Sequence, residues 1–123
     1  MMNKYFYDSF AIIELFRGNQ IYAEYFSQHE GITAFHNANE VYYIMIREEG
    51  EEKAKTALDF LRQMTIFPDF DIIEEAMKFR VKNKKYKFSY ADCLGYIIAK
   101  RNNLIFLTGD SAFKNFPNVE FVR

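Results

Sequence analysis

Short runs with the composition of β-strands recur along the chain, and longer stretches with helical spacing separate them. The strand-like runs are KYFY at 4–7, ITAF at 32–35, TIF at 65–67, LIFL at 104–107 and VEFV at 119–122. Aromatic and β-branched residues are frequent in these runs, which favours extended backbone. The pattern therefore predicts five short strands.

Apolar residues between these runs recur at positions i, i+3, i+4 and i+7, the spacing of one helical face. This spacing is clearest at 54–61, 73–80 and 91–98, and the segments around 9–17, 20–28 and 37–48 follow it less regularly. Strands that alternate with helices predict right-handed crossovers and a mostly parallel sheet covered on both faces. The predicted fold class is α/β, and the length predicts a single domain over residues 1–123.

The composition excludes several classes of protein. Half of the 123 residues are hydrophobic, 27% are charged, and the formal net charge is −1, so no global basic field marks the chain as a nucleic-acid binder. The single cysteine, Cys93, excludes an internal disulfide and a cysteine-rich zinc site. The sequence shows no signal peptide and no apolar run near the roughly 18 residues of a membrane span. We therefore expect a cytoplasmic protein without membrane contact.

Four acidic residues stand near the junctions where predicted strands give way to helices: Asp8, Glu40, Asp92 and Asp110. In an open parallel sheet, functional groups collect at the carboxyl ends of the strands. If the first, second and fourth runs are neighbours in the sheet, the four carboxylates lie close together and repel one another. A divalent cation would relieve that repulsion, and a set of hard oxygen ligands suits Mg²⁺ or Mn²⁺.

Each acid also has a purely structural explanation. Ser89 and Asp92 have the spacing of a capping box, and Asn37 and Glu40 have a close variant of it. The other two acids could be simple N-caps that also interact favourably with a helix dipole. Taken singly, each acid is explained best as a cap, whereas the set of four favours a metal site.

Four segments resemble those of the PIN-domain family, and specifically its short toxin-type, VapC-like members. The segments are YFYDSFAIIEL at 5–15, NANEVYYI at 37–44, FSYADCLGYIIA at 88–99 and IFLTGDSAF at 105–113. They follow the order of the family and span nearly the whole chain. The resemblance implies a three-layer α/β/α sandwich with a small central sheet, and an acidic ribonuclease site that binds Mg²⁺ or Mn²⁺.

The resemblance also assigns roles to particular residues. The metal-binding and catalytic set that it implies is Asp8, Glu40, Asp92 and Asp110, in which the three aspartates hold the metal and the glutamate binds it or orients the attacking water. Thr108 matches the hydroxyl residue of the family two positions before the last acid, and Ser9 follows the first acid. Both hydroxyls are expected to support the site.

The chain departs from the family pattern in two places. Cys93 and the bulky Tyr96 follow the third acid, where the family tends to have small residues. Phe35, His36 and Asn37 stand where a hydroxyl residue often precedes the glutamate, and Asn37 or a neighbouring asparagine could substitute for it. These departures concern substrate fit and activity rather than the fold.

The basic segment KFRVKNKKYKF at 78–88 leads directly into the helix predicted to carry Asp92. Its lysines at Lys82, Lys84, Lys85 and Lys87 are candidates for sequence-independent contacts with RNA phosphates. A solvated helix end with cations that complement its dipole explains them equally well. The two histidines, His29 and His36, are expected in surface or loop positions, which leaves no serine with a histidine partner for covalent catalysis.

The resemblance implies three partners: an RNA substrate, with tRNA favoured, a small antitoxin protein, and a second copy of the chain in a homodimer. Other functions stay open. A PIN-like module that binds RNA or protein with weak or no catalysis is the main alternative. A receiver-like phosphoacceptor domain is less favoured because it would need a second acid beside Asp8. A structural domain with four independent helix caps is a further alternative.

Overall fold

A computed structural model describes residues 3–123 of the chain. Its strands are β1 (Lys4–Tyr7), β2 (Glu30–Ala34), β3 (Thr65–Ile66), β4 (Ile105–Thr108) and β5 (Val119–Phe121). Its α-helices are α1 (Ser9–Phe16), α2 (Gln20–Gln28), α3 (Phe35–Glu49), α4 (Glu51–Leu61), α5 (Phe70–Lys82) and α6 (Tyr90–Arg101). All the strands and helices predicted from the sequence are present, with shifted ends.

The strands form one sheet in the order β3-β2-β1-β4-β5, and every pairing between them is parallel. The first strand occupies the centre, where Tyr5 pairs with Gly31 of β2 and with Ile105 of β4. The prediction of an α/β fold is therefore confirmed. The order also brings the first, second and fourth strand-like runs side by side, so their carboxyl ends meet at one edge.

Alternating side chains of the sheet face two separate apolar clusters. Phe6 of β1 packs into one cluster with residues of α5 and α6, whereas Tyr5 and Tyr7 pack into the other with residues of α1 to α4. The α6 helix lies so close to the sheet at Gly95 that a Cβ there would approach Cε1 of Phe6 to 2.7 Å. Helices on both faces make the three-layer α/β/α sandwich that the resemblance implied.

The start of α3 corrects two predictions. The β2 strand runs directly into α3, with Ala34 as N-cap residue and no side chain capping the helix. Asn37 and Glu40 therefore lie inside the helix, and they form no capping box. His36 also lies in α3 and is only 9% exposed, because it faces the backbone of Ala91 in α6 rather than solvent.

His29 is found at the end of α2, as expected for a loop residue, and its Nδ1 accepts a hydrogen bond of 3.0 Å from the Asn3 amide. No helix within residues 3–123 has both the length and the apolar character needed to cross a bilayer.

Candidate active site

The four acids of the sequence motif line one shallow depression at the carboxyl edge of the sheet. The residues around it are Asp8, Ser9, Phe10, Ile13, Glu40, Ile44, Asp92, Gly109, Asp110 and Arg123. The acids come from four different places: the β1–α1 junction, the second turn of α3, the first turn of α6, and the turn after β4. The parallel strand order thus brings together residues that are more than 100 positions apart in sequence.

Asp8 is the most deeply buried of these acids, with 5% of its surface exposed. Its Oδ1 accepts a hydrogen bond of 2.8 Å from the Ser9 amide, and its Oδ2 accepts one of 2.7 Å from the Thr108 hydroxyl. Burial and then the charge of Asp92 raise the pKa of Asp8 from 3.8 to about 7, against the lowering effect of the two hydrogen bonds. Asp8 therefore lies where a proton or a cation is needed to balance its charge.

Asp92 acts as a helix cap and lines the depression at the same time. Its Oδ2 accepts a hydrogen bond of 2.9 Å from the Ser89 amide, and the Ser89 hydroxyl accepts one of 3.1 Å from the Asp92 amide. The capping box predicted from the sequence is therefore confirmed. Burial raises the pKa of Asp92, the two bonds with Ser89 oppose that rise, and the charges of Asp110 and Glu40 add to it.

Asp110 caps the short 3₁₀ turn Ser111–Phe113, and its Oδ1 accepts a hydrogen bond of 2.9 Å from the Ala112 amide. Thr108 joins this acid to Asp8. The buried Thr108 hydroxyl donates to Asp8 and accepts a bond of 3.1 Å from the Asp110 amide. One hydroxyl therefore orients the first acid and fixes the backbone of the last.

Asn37 supports the site through a buried hydrogen bond to Ser9. Its Nδ2 donates a hydrogen bond of 2.9 Å to the Ser9 hydroxyl, and the side chain is buried, with 1% exposed. Its Oδ1 is also buried and meets no hydrogen-bond donor within residues 3–123. The sequence contains one signal for this role, because Asn37 stands one helical turn before Glu40, where the family often has a hydroxyl residue.

The lysine-rich segment lies outside this depression. Lys82 ends α5, Lys84 and Lys85 begin a 3₁₀ turn, and Lys87 follows it. Lys84 and Lys87 line a different surface depression, together with Arg80. Arg123 is the basic residue that lines the acidic depression, and no motif in the sequence indicates it.

Cys93 and Tyr96 also lie away from the acids. Both are buried in the cluster between α5, α6 and the sheet. The Tyr96 hydroxyl donates a 2.8 Å hydrogen bond to the Pro117 carbonyl, and its ring stacks on Phe113. These two residues, which depart from the family pattern, are thus accommodated in the core rather than at the rim of the site.

The donor set around the depression fits a hard divalent cation, because carboxylates line it and neither histidine nor cysteine does. Within residues 3–123, however, no three acidic, histidine or cysteine side chains are already gathered as a coordination set. Three of the acids, Asp8, Asp92 and Asp110, each keep one oxygen in a hydrogen bond at a helix start. Metal binding at this place therefore requires carboxylates to turn toward the ion.

Solved structures of similar fold include a toxin–antitoxin complex from Klebsiella pneumoniae, which is 20% identical, covers 94% of this chain and 95% of that one, and gives a TM-score of 0.76. The toxin VapC20 of Mycobacterium tuberculosis, described as cleaving the sarcin–ricin loop, is 16% identical with 95% of both chains covered and a TM-score of 0.79. VapBC2 of Rickettsia felis, bound to promoter DNA, is 16% identical. It covers 98% of this chain and 99% of that one, with a TM-score of 0.78.

No curated protein matches the sequence. The family model of the PIN domain, in contrast, matches residues 5–119. That range contains all four acids of the depression and nearly all of the sandwich. The chain belongs to the PIN domain family.

Proposed function

We propose that this protein is a metal-dependent endoribonuclease that acts as the toxin of a toxin–antitoxin pair. The observation that carries the proposal is the meeting of four carboxylates at the carboxyl edge of a PIN-domain sheet. The raised pKa values of Asp8 and Asp92 support it, because burial and the neighbouring carboxylates disfavour charged forms that a bound cation would stabilise.

In the proposed mechanism, Asp8, Asp92 and Asp110 would hold one or two Mg²⁺ or Mn²⁺ ions. The bound metal would lower the pKa of a water molecule and neutralise charge on the scissile phosphate. Glu40 is exposed at the rim, so it is placed to accept a hydrogen bond from the attacking water and orient it. Thr108 keeps the Asp8 carboxylate turned into the depression.

The solved neighbours support an antitoxin among the proposed partners, since two of them are toxin–antitoxin complexes. We propose a small antitoxin for this chain, a homodimeric assembly, and structured RNA in the cytoplasm as substrate, with tRNA favoured. Tyr43 is 63% exposed and Ile46 is also exposed, so α3 presents apolar surface that an antitoxin or a second copy would cover.

The competing function is a PIN module that binds RNA or protein without cleaving it. One observation favours it: the acids are not already arranged as a coordination set within residues 3–123. A receiver-like phosphoacceptor is disfavoured because Ser9, not an acid, follows Asp8.

Cleavage of a mixed tRNA preparation by wild type and by the Asp92→Asn variant tests the proposal, in Mg²⁺, in Mn²⁺ and in EDTA. Asp69→Asn is the matched control, since Asp69 also caps a helix but does not line the depression. We expect discrete fragments with wild type and Asp69→Asn in either metal, and none with Asp92→Asn or in EDTA.

Melting temperatures measured with and without Mn²⁺ separate the alternatives. If Mn²⁺ stabilises wild type but wild type cleaves no RNA, the result supports the metal site and contradicts the proposed substrate class. If Mn²⁺ stabilises neither wild type nor Asp69→Asn and no RNA is cut, the acids act as helix caps and the enzyme proposal is wrong.

A further inference from the structure

Arg123 places a guanidinium group at the rim of the acidic depression. Its Nη1 donates a hydrogen bond of 2.8 Å to the Gly109 carbonyl, next to Asp110. The guanidinium carbon also lies 5.8 Å from the centre of the Phe10 ring, within the range of a cation–π contact. Both contacts are with residues that themselves line the depression, so the side chain belongs to the site.

The backbone of Val122, the residue before Arg123, is held by two hydrogen bonds. The Val122 amide donates a 2.9 Å hydrogen bond to the Thr108 carbonyl, which continues the pairing of β5 with β4. The buried Tyr22 donates its hydroxyl hydrogen to the Val122 carbonyl. The chain is therefore held at the end of the sheet directly before Arg123, whose side chain lines the depression from this point.

The charge of Arg123 is not taken up by the acids around it. Among residues 3–123, no aspartate or glutamate oxygen lies within 4.0 Å of its guanidinium nitrogens, whereas Arg17 and Arg101 pair with Glu48 and Glu75. One hydrogen bond to a carbonyl leaves most of its five N–H donors available. A planar donor fork of this kind matches two oxygens of a phosphate group.

We infer that Arg123 contacts the RNA phosphate that is cleaved, and that it binds a non-bridging oxygen on the side away from the carboxylates. The inference rests on the proposed ribonuclease function and adds a phosphate-binding residue to it. In this position the guanidinium stabilises the negative charge that grows on the phosphate oxygens during cleavage. It also partly offsets the repulsion between RNA and the four acids.

The test compares Arg123→Gln and Arg123→Lys with wild type in metal-dependent cleavage of tRNA. Arg101→Gln is the matched control, because it removes the same charge from the far end of α6. Loss of one donor to a developing oxyanion costs roughly 100- to 1000-fold in rate, so we expect kcat/KM to fall by about that factor in Arg123→Gln. We expect Arg123→Lys to recover part of the loss and Arg101→Gln to match wild type.

Two further measurements distinguish phosphate contact from a structural role. Mn²⁺ affinity of Arg123→Gln should equal or exceed that of wild type, because the variant removes a cation beside the carboxylates. RNA binding measured in EDTA by fluorescence anisotropy should weaken, with a salt dependence whose slope is lower by about one.

Wild-type cleavage rates in Arg123→Gln would overturn the inference, and so would a loss of Mn²⁺ affinity that parallels the loss of activity. If wild type itself cleaves no RNA, the proposed function is wrong. RNA binding measured by anisotropy in EDTA is then the only test of whether Arg123 contacts RNA phosphate. Weaker RNA binding by Arg123→Gln than by Arg101→Gln then supports the contact, and equal binding overturns it.

Discussion

Asp8 shows at the scale of one residue how function and stability conflict in this site. Two hydrogen bonds favour its charged form, while burial and the neighbouring acids oppose it. The sequence motif indicated Asp8, but it could not indicate how the residue is held. Its partner Thr108 is 100 positions away, and the link from Ser9 to Asn37 spans 28 positions, so neither contact leaves a local spacing signal.

Asp8→Asn should make the metal-free protein more stable at neutral and higher pH while it abolishes cleavage. The pKa of Asp8 is raised from 3.8 to about 7 in the folded state, so the folded protein keeps a proton there that the unfolded chain releases. The stabilisation from that proton is complete below pH 3.8 and is lost as pH rises through about 7. Asparagine avoids this loss. Denaturant unfolding in EDTA between pH 5 and pH 8.5 measures the difference.

The comparison must be made between variants, because His36 contributes with the opposite sign. Burial lowers the pKa of His36 to about 4, so its contribution to stability is present above pH 6.5 and is lost as pH falls toward 4. Subtracting the wild-type curve from that of Asp8→Asn removes this shared part. Asp69→Asn, an exposed cap, is the control. A difference curve that stays flat between pH 5 and 8.5 would contradict the raised pKa of Asp8.

At the scale of elements, spacing identified the helices and strands better than it identified their ends. The pair Ser89 and Asp92 forms the capping box that its spacing predicts. Asn37 and Glu40 have the same spacing and form none, because α3 begins at Phe35, directly after β2. The difference is tertiary: Asn37 is turned inward to Ser9, and a residue buried in that way is not available to cap.

Ser89→Ala should lower the free energy of unfolding by about 0.5–2 kcal/mol, the usual range for loss of an N-cap side chain. The variant removes the hydroxyl that accepts from the Asp92 amide, whereas the Ser89 amide that donates to the Asp92 carboxylate is kept. Chemical denaturation in EDTA measures the loss. Ser27→Ala is the matched control, because the Ser27 hydroxyl only donates to the Glu24 carbonyl on the surface of α2.

Equal effects of the two serine substitutions would show that the capping box adds nothing to the stability of α6. A second readout follows metal binding. If loss of the hydroxyl loosens the first turn of α6, which carries Asp92, Ser89→Ala should also weaken Mn²⁺ binding by a few fold while Ser27→Ala leaves it unchanged.

At the scale of the whole molecule, the sheet separates two apolar clusters, and within residues 3–123 these clusters share no helix. The sequence predicted layers on both faces from the alternation of strands and helices, and the strand order then places every acid of the site at one edge. It could not predict which helices share a face, since α1 to α4 pack on one side and α5 with α6 on the other through contacts distant in sequence. Whether the two helical layers unfold together depends on how strongly the shared sheet couples the two clusters.

Leu61→Ala should expose Cys93 even though the two side chains lie in opposite clusters. Leu61 is buried in the cluster of α1 to α4, and Cys93 is fully buried in the other. Truncation of a buried leucine costs about 2–5 kcal/mol, and 2 kcal/mol alone corresponds to a rise of about 30-fold in the population of unfolded molecules. If the domain opens as one unit, the rate of thiol labelling in EDTA should rise by at least that factor.

Lys55→Ala, an exposed substitution on the same helix α4, serves as the control and should leave labelling unchanged. Burial raises the pKa of the Cys93 thiol to about 11, so labelling of the closed state is negligible and the rate reports opening. A Leu61→Ala protein that unfolds at lower denaturant but labels at the wild-type rate would show that the α5–α6 layer stays closed on the sheet. Asp92, the α6 residue that lines the depression, would then keep its place when the layer that carries Glu40 opens.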